Sequence, residues 1–420
     1  MTFDLAVIGL GYVGLPLVRE AARSGLRVLG LDVDEAVVGG LAAGRSHVDD
    51  VSDADVAAAL AAGLETTTDA ARLGEADAVV ICVPTPLSDE GGPDLRAVRG
   101  AVDAVAAALR PGQLVVLEST VSPGTTEEVV RPALEARGLV VGQDVHLAFS
   151  PERIDPGNAL HGFRNTPKVV GGATPACSRR AEALYARLVD EVVPARSTRE
   201  AEMAKLLENT YRHVNIALVN ETAKFCHDLG IDIWDVVRCA STKPFGFQAF
   251  RPGPGVGGHC IPIDPTYLSH TVRARLGYPF RSVELAQEIN QSMPAYVARR
   301  VQDLLNDRSL AVRGARVLLV GTTYKAGVSD QRESPAFGVA RALRELGAEL
   351  EQHDALAPRF VVDGTEVPRR EALGGHGRPA DVAVLLQAHR DLDVRALRDS
   401  APVVLDTRGL LEPAEGVVRL

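Results

Sequence analysis

Through the first ~200 residues, short apolar runs alternate with segments whose apolar positions recur every three to four residues. LAVIG (5–9) reads as a strand, YVGLPLVREAARSG as a helix ending at Gly25, and RVLGLD (27–32) as a second strand. ADAVVICV (76–83) and QLVVLES (113–119) are apolar almost throughout, as strands buried on both faces are, and DLRAVRGAVDAVAAALR (94–110) is an amphipathic helix between them. This rhythm predicts a parallel sheet covered on both sides.

The rhythm stops near residue 200. From Glu200 to about Leu229 the pattern is one long helix, apolar on most sides and so predicted to be buried. Further helix is expected at 231–240, 264–276 and 281–305, around a Gly/Pro-rich loop at 244–265. Such a helix is commonly buried against a symmetry mate, so a homodimer is expected. Strand and helix patterns then resume: ARVLLVG (315–321), SPAFGVARALRELG (334–347), AELEQHD (348–354), DVAVLLQAH (381–389) and PVVLD (402–406). The predicted fold is α/β: two Rossmann-like domains with parallel sheets, joined by a helical dimerisation domain built on the long central helix. The expected boundaries are 1–199, 200–306 and 312–420.

Composition supports this division. At roughly 150 residues per domain, 420 residues suggest two or three domains. A net charge of −10 disfavours general nucleic-acid binding, which relies on basic surface. No apolar run reaches the ~18 residues that span a bilayer, and residues 3–8 run straight into a glycine motif rather than a leader peptide. Five scattered cysteines argue against a disulfide framework, so the cytoplasm is the expected compartment.

Gly9-Leu10-Gly11-Tyr12-Val13-Gly14 follows a predicted strand and opens a predicted helix. In that context a G-x-G-x-x-G sequence is a dinucleotide fingerprint. Gly9 permits the turn, Gly11 the approach of a pyrophosphate, and Gly14 close helix–strand packing. Asp32, closing the second strand, is placed to bond a ribose 2′-hydroxyl and repel a 2′-phosphate, which favours NAD. Thr85 and Thr120 follow strands 76–83 and 113–119, at the sheet edge where cofactor and substrate should meet.

The loop PGPGVGGHCIPIDP (252–265) holds Cys260 among glycine amides, four residues before Asp264 at a helix start. Both features stabilise a thiolate or an oxyanion. His259–Cys260 and Cys226–His227 are adjacent pairs, unsuited to a shared metal ion, and no metal is expected. Lys205 and Asn209 share a helix face that Arg212 and Asn220 continue. This is either a substrate-facing edge, with Lys205 opposing an alkoxide, or a solvated or dimer-facing stripe. Glu152, in Ser150-Pro151-Glu152-Arg153, is either a general base or a partner of Arg153. Lys325 and Arg332 follow a strand end in the second α/β domain, where they could meet a pyrophosphate.

GLGYVGLP, VPTP, EST, SPER, KLLEN, GPGVGGHCIPIDP and YKAGVSDQRES, in this order, resemble the UDP-glucose/GDP-mannose dehydrogenase family across essentially the whole chain. STKPFGFQAFRPGPGVGGHCIPIDPTYL is most similar to the branch acting on UDP-N-acetylglucosamine. The resemblance implies an NAD-binding domain, a helical dimerisation domain, a nucleotide-sugar domain, and two successive oxidations at C6 of the sugar. It implies Cys260 as nucleophile, with Lys205, Asn209 and Asp264 around it, and Thr120 and Glu152 beside the reacting carbon. Tyr12, Val13, Asp32, Thr85, Thr120 and Arg332 fall to NAD. Phe250, Arg251, Gly253, Gly257 and Lys325, with Lys205 and Asn209, fall to the nucleotide sugar. Pro156, Ile154 and Ile263 depart from the family pattern and bear on which sugar is used. Two rival readings are a one-step hydroxyacid dehydrogenase, which needs neither Cys260 nor a second nucleotide fold, and a non-catalytic nucleotide-sugar-binding protein, which would not keep Cys260, Lys205 and Asp264 together.

Overall fold

The computed structural model describes residues 3–88, 92–155, 158, 160–258, 261–374 and 379–420. His259, Cys260 and Pro156 lie outside the described residues. The chain divides into two compact units, Met1–Glu208 with Thr266–Gly277, and Asn209–Pro265 with Tyr278–Leu420.

The first unit begins β1 (Phe3–Ile8), α1 (Gly14–Arg23), β2 (Val28–Leu31), α2 (Glu35–Ala42), α3 (Asp53–Ala61), β3 (Glu65–Thr67). It continues β4 (Ala76–Ile81), α4 (Arg96–Ala108), β5 (Leu114–Leu117), α5 (Arg131–Glu135), β6 (His146–Phe149), β7 (Lys168–Gly172), α6 (Pro175–Tyr185) and β8 (Val192–Pro194). The sheet order is β3-β2-β1-β4-β5-β6-β7-β8. Alternation within β1 shows how both faces are filled. Leu5 and Val7 pack with Val80 and Val116 on one side, while Ala6 and Ile8 pack with Val79, Ile81 and Leu117 on the other. The order reverses between β1 and β4, and ligands bind beyond the carboxyl ends of strands at such a point.

The expectation of a parallel sheet holds from β3 to β6 and fails at the next strand: β7 runs antiparallel to β6. Among the described residues between Phe149 and Lys168 there is no crossover helix, and β7 enters the sheet from the end at which β6 leaves it. Lys168 therefore stands at the carboxyl edge of the parallel strands. The segments 35–75 and 160–197, given no element by pattern alone, fold into α2, α3, β3, β7, α6 and β8. Their strands are three to five residues long. Capping marks the helices: Ser52 and Asp55 form a reciprocal capping box on α3, and Thr174 caps α6 ahead of Pro175.

The long helix α7 spans Thr198–Asp228, followed by α8 (Ile233–Ala240), α9 (Asp264–Leu276) and α10 (Arg281–Asn306). The burial predicted for α7 from its apolar pattern is incomplete within the chain. Tyr211, Leu218 and Phe225, seven residues apart, are 48%, 62% and 49% exposed. The second unit then adds β9 (Arg316–Val320), α11 (Pro335–Glu345), β10 (Glu349–His353), a small hairpin of β11 (Val361–Val362) and β12 (Thr365–Glu366), β13 (Val382–Leu385), α12 (Val394–Asp399), β14 (Val404–Asp406) and β15 (Val417–Arg419). Its main sheet, β10-β9-β13-β14-β15, is parallel throughout and reverses order between β9 and β13. Among the described residues no helix is long and apolar enough to cross a membrane.

Candidate functional site

The turn between β1 and α1 has a shape that only its glycines allow. Gly9 has φ 88°, and a Cβ on it would lie 2.8 Å from the Cys82 carbonyl oxygen. A Cβ on Gly14 would overlap the Gly9 carbonyl oxygen, so α1 meets the turn at backbone contact. At Gly11 the same position meets nothing within 4 Å, which leaves the backbone open to an incoming group. Asp32 follows β2, and its carboxylate accepts the Leu10 N–H at 2.8 Å and the Asp34 N–H at 3.0 Å. An open glycine turn at a helix N-terminus, with a half-exposed carboxylate tied to it, fits the pyrophosphate and ribose of NAD. Tyr12 and Val13 pack against the core beneath, and Thr85 and Thr120 are half-buried just past β4 and β5.

The second sheet repeats this construction but keeps its carboxylate inside. Gly321 follows β9 at φ 80° and Asp354 follows β10, as Gly9 and Asp32 follow β1 and β2. Asp354 accepts the Thr322 N–H at 2.6 Å, as Asp32 accepts that of Leu10. Asp354 is buried, however, and His389 lies 3.1 Å from it. Burial opposes its charge, but the His389 contact and the backbone N–H groups outweigh it and hold its pKa at about 2. A cavity of about 490 Å³ opens beside this pair, lined also by His353, Gln387 and Asp393. None of the candidate substrate residues lines it. With its carboxylate already satisfied, this crevice does not repeat the ribose site of the first sheet.

Those substrate residues lie instead along 249–258, at Lys325 and on α7 at Lys205 and Asn209. The Gly253 N–H donates to Asn220 Oδ1 at 2.9 Å. A Cβ on Gly253 would come within 3.1 Å of the Arg408 guanidinium, and one on Gly257 within 2.6 Å of the Glu333 carbonyl oxygen and 2.9 Å of Tyr324 Cβ. The loop is thus pressed against its neighbours with no room for side chains there. Phe250 serves as an anchor: its ring meets Tyr211 edge-on at 5.9 Å. Arg251 is exposed and Lys325 half-buried. Arg332 is exposed and chelated by Asp330 through its Nε and Nη2 (2.9 and 2.6 Å).

Lys205 is buried on α7. One turn further along the helix, Asn209 donates its amide to Asp264, which is buried at the start of α9, at 2.6 Å. Asn220 is buried too, whereas Arg212, expected on the same polar face, is exposed. Glu152 does not pair with the Arg153 guanidinium, which goes to Glu208 at 2.8 Å. Its Oε1 accepts the backbone N–H groups of Arg153 and Ile154 (2.7 and 2.6 Å), and its Oε2 lies 3.1 Å from Lys168 Nζ. Lys168 also reaches Glu118 at 3.2 Å, and Tyr185 donates its hydroxyl to the same Glu118 carboxylate. Burial disfavours the Lys168 charge, but the two carboxylates outweigh it and raise the ammonium pKa. Burial also raises the Glu118 carboxyl, against the pull of Lys168, and pushes the neighbouring Cys82 thiol well up.

Glu118, Lys168, Tyr185 and Arg408 carry charge or hydrogen bonds at these edges and were not singled out by pattern. The clue for Lys168 is a cation opening an otherwise apolar strand, PKVVGG. For Arg408 it is an arginine two residues past the buried strand VVLD. Arg408 Nε donates to the Leu386 carbonyl oxygen at 2.6 Å, while the Asp406 carboxylate accepts the backbone N–H groups of Arg408 and Leu411. The guanidinium is half-exposed by area but densely surrounded by protein. Burial lowers its pKa to about 10, against the Asp406 charge, so it stays cationic at neutral pH.

Comparison with known proteins gives three consecutive matches to the UDP-glucose/GDP-mannose dehydrogenase family: its NAD-binding domain over residues 3–189, its central domain over 199–292 and its UDP-binding domain over 318–413. A UDP-N-acetyl-D-mannosamine dehydrogenase of Methanococcus maripaludis (strain C7) is 34% identical over 423 residues, covering 97% of this chain and 93% of its own. A UDP-N-acetyl-D-glucosamine 6-dehydrogenase of Pseudomonas aeruginosa is 34% identical, covering 99% of each. The solved structure of a UDP-D-ManNAc dehydrogenase from Pyrococcus horikoshii matches with a TM-score of 0.89 at 32% identity, over 99% of this chain and 98% of its own.

Proposed function

The chain belongs to the UDP-glucose/GDP-mannose dehydrogenase family and is an NAD-dependent oxidoreductase, and from that premise we propose that it oxidises C6 of a UDP-linked 2-acetamidohexose to the carboxylate through a thioester on Cys260. The observation that carries this reading is the Asn209–Asp264 hydrogen bond, which holds an amide donor against the buried acid four residues beyond Cys260 in the chain. In this reading residues 1–199 take NAD, 312–420 take the nucleotide, and 200–306 carry the dimer contact. The 2-acetamido sugar follows from the relatives, which are named for UDP-N-acetylmannosamine and UDP-N-acetylglucosamine.

NAD, when bound, supplies the hydride acceptor for both oxidations. Gly11 and Asp32 hold and orient it. Lys205 opposes the negative charge that develops at the C6 oxygen, and Asp264 or an ordered water takes the hydroxyl proton. The Cys260 thiolate adds to the aldehyde carbon, and Lys205 and Asn209 stabilise the resulting oxyanion. Each such donor is worth ~3 kcal/mol in comparable sites. Oxidation of the adduct leaves a thioester. Glu152 then takes a proton from water as the hydroxide adds to the carbonyl carbon, and the C–S bond breaks to return the thiolate. Holding the aldehyde covalently prevents its escape between steps. Arg408 and Lys325 supply positive charge for the diphosphate.

Turnover of a panel of UDP-N-acetylglucosamine, UDP-N-acetylmannosamine, UDP-glucose and dTDP-glucose, followed by NADH absorbance, tests the reading. The expected result is two NADH per sugar, with preference for a 2-acetamido substrate and an acyl-enzyme stall in Cys260→Ser. One NADH with released aldehyde would sink the thioester route. The homodimer rests on the heptad-spaced exposed residues Tyr211, Leu218 and Phe225 of α7. Sedimentation of Leu218→Glu tests it, and an unchanged mass would overturn it.

A further inference from the structure

We infer that Lys168 is a positioning residue for Glu152: its ammonium, shared with Glu118, holds the Glu152 carboxylate in place for the step in which the thioester is hydrolysed. This rests on the reading that Glu152 takes the proton from water in that step.

Geometry carries the inference. Lys168 lies at the carboxyl edge only because β7 is reversed, and its side chain is 5% exposed. The ammonium is 3.1 Å from Glu152 and 3.2 Å from Glu118, and it lies over the rings of Phe163 and Tyr185 at 5.1 and 5.4 Å. A buried cation so enclosed must keep a carboxylate beside it at all times. Glu118, 0% exposed and bonded to the Tyr185 hydroxyl, is the fixed one. Glu152, 7% exposed and bonded by two backbone N–H groups, is the one that can change charge without leaving the ammonium bare. When Glu152 takes the water proton, Lys168 remains paired with Glu118. When Glu152 loses it, the ammonium draws the carboxylate back. The other charged or titratable groups here are Tyr185 on α6, Cys82 after β4, Lys205 on α7, and Arg153, which is engaged by Glu208.

The test uses full-length enzyme. Lys168→Met is expected to lower kcat by at least about tenfold and leave KM for the nucleotide sugar near wild type. Two NADH per site should form in a burst, with a Cys260 thioester trapped by acid quench and seen by mass spectrometry. Lys168→Arg should restore most of kcat. Because a bare buried Glu118 destabilises the single variant, Lys168→Met is also made with Glu118→Gln, which removes both charges of the pair together. A folded double variant with wild-type kcat and no trapped thioester overturns the proposal. Glu152→Gln separates it from its premise: normal hydrolysis in that variant overturns the role of Glu152 itself.

Discussion

The amide oxygen of Asn220 accepts the Gly253 N–H at 2.9 Å, so one side chain of the long helix α7 holds the loop that carries the substrate candidates. The Asn220 amide nitrogen in turn donates to Asn290 on α10. Asn220→Ala leaves a buried N–H unpaired, a loss of about 1–3 kcal/mol. The expected outcome is a KM for the nucleotide sugar raised about tenfold, with the Kd for NAD unchanged; calorimetric titration of each ligand checks it.

The two glycines of the NAD turn should respond differently to one added carbon. Gly14→Ala forces a Cβ into the Gly9 carbonyl oxygen, so both Tm and NAD binding should fall. Gly11→Ala adds its Cβ to open space, so Tm should stay near wild type while NAD binding weakens about tenfold or more. Thermal melts with and without NAD separate the two outcomes.

His213 should make stability depend on mildly acid pH. It is fully buried on α7, its Nε2 has no partner among the described residues, and burial lowers its pKa to about 4. The ordinary histidine value is about 6.5. Because the folded value is the lower one, the unfolded chain takes up a proton first. The contribution is therefore full above pH 6.5 and is lost as the pH falls through 4. The loss amounts to about 3 kcal/mol. Urea midpoints measured at pH 7 and pH 4.5 should differ less in His213→Gln than in wild type.

Arg408 should report on the diphosphate. Charge-assisted hydrogen bonds contribute about 1.5–3 kcal/mol each, so Arg408→Met should raise the Kd for UDP by about tenfold to a hundredfold. Binding of NAD to the same variant should be unaffected, and the UDP effect should shrink in high salt.

Much of the fold was legible because it rests on local periodicity. β1, β4, β5, β9 and β13 are apolar in nearly every position, as strands buried on both faces are. The long helix was visible in outline, though its exposed heptad stripe was not, since an apolar residue looks the same whether the fold covers it or leaves it bare. The NAD turn was legible down to single glycines, because each serves a backbone need that no other residue type meets.

By itself, then, the sequence determined the two nucleotide folds, the helix between them, the NAD fingerprint and the placing of Cys260 in a glycine-rich loop. The tertiary structure decided which charges meet. The reversal of β7 brings Lys168 to Glu152 and Glu118, and the turn after β14 brings Arg408 to Gly253. It also turned Arg153 away from Glu152 and toward Glu208. These pairs are separated by 16 to 155 residues, and no periodicity spans such distances. A hydrogen bond between remote side chains depends on strand direction and register, which long-range packing sets.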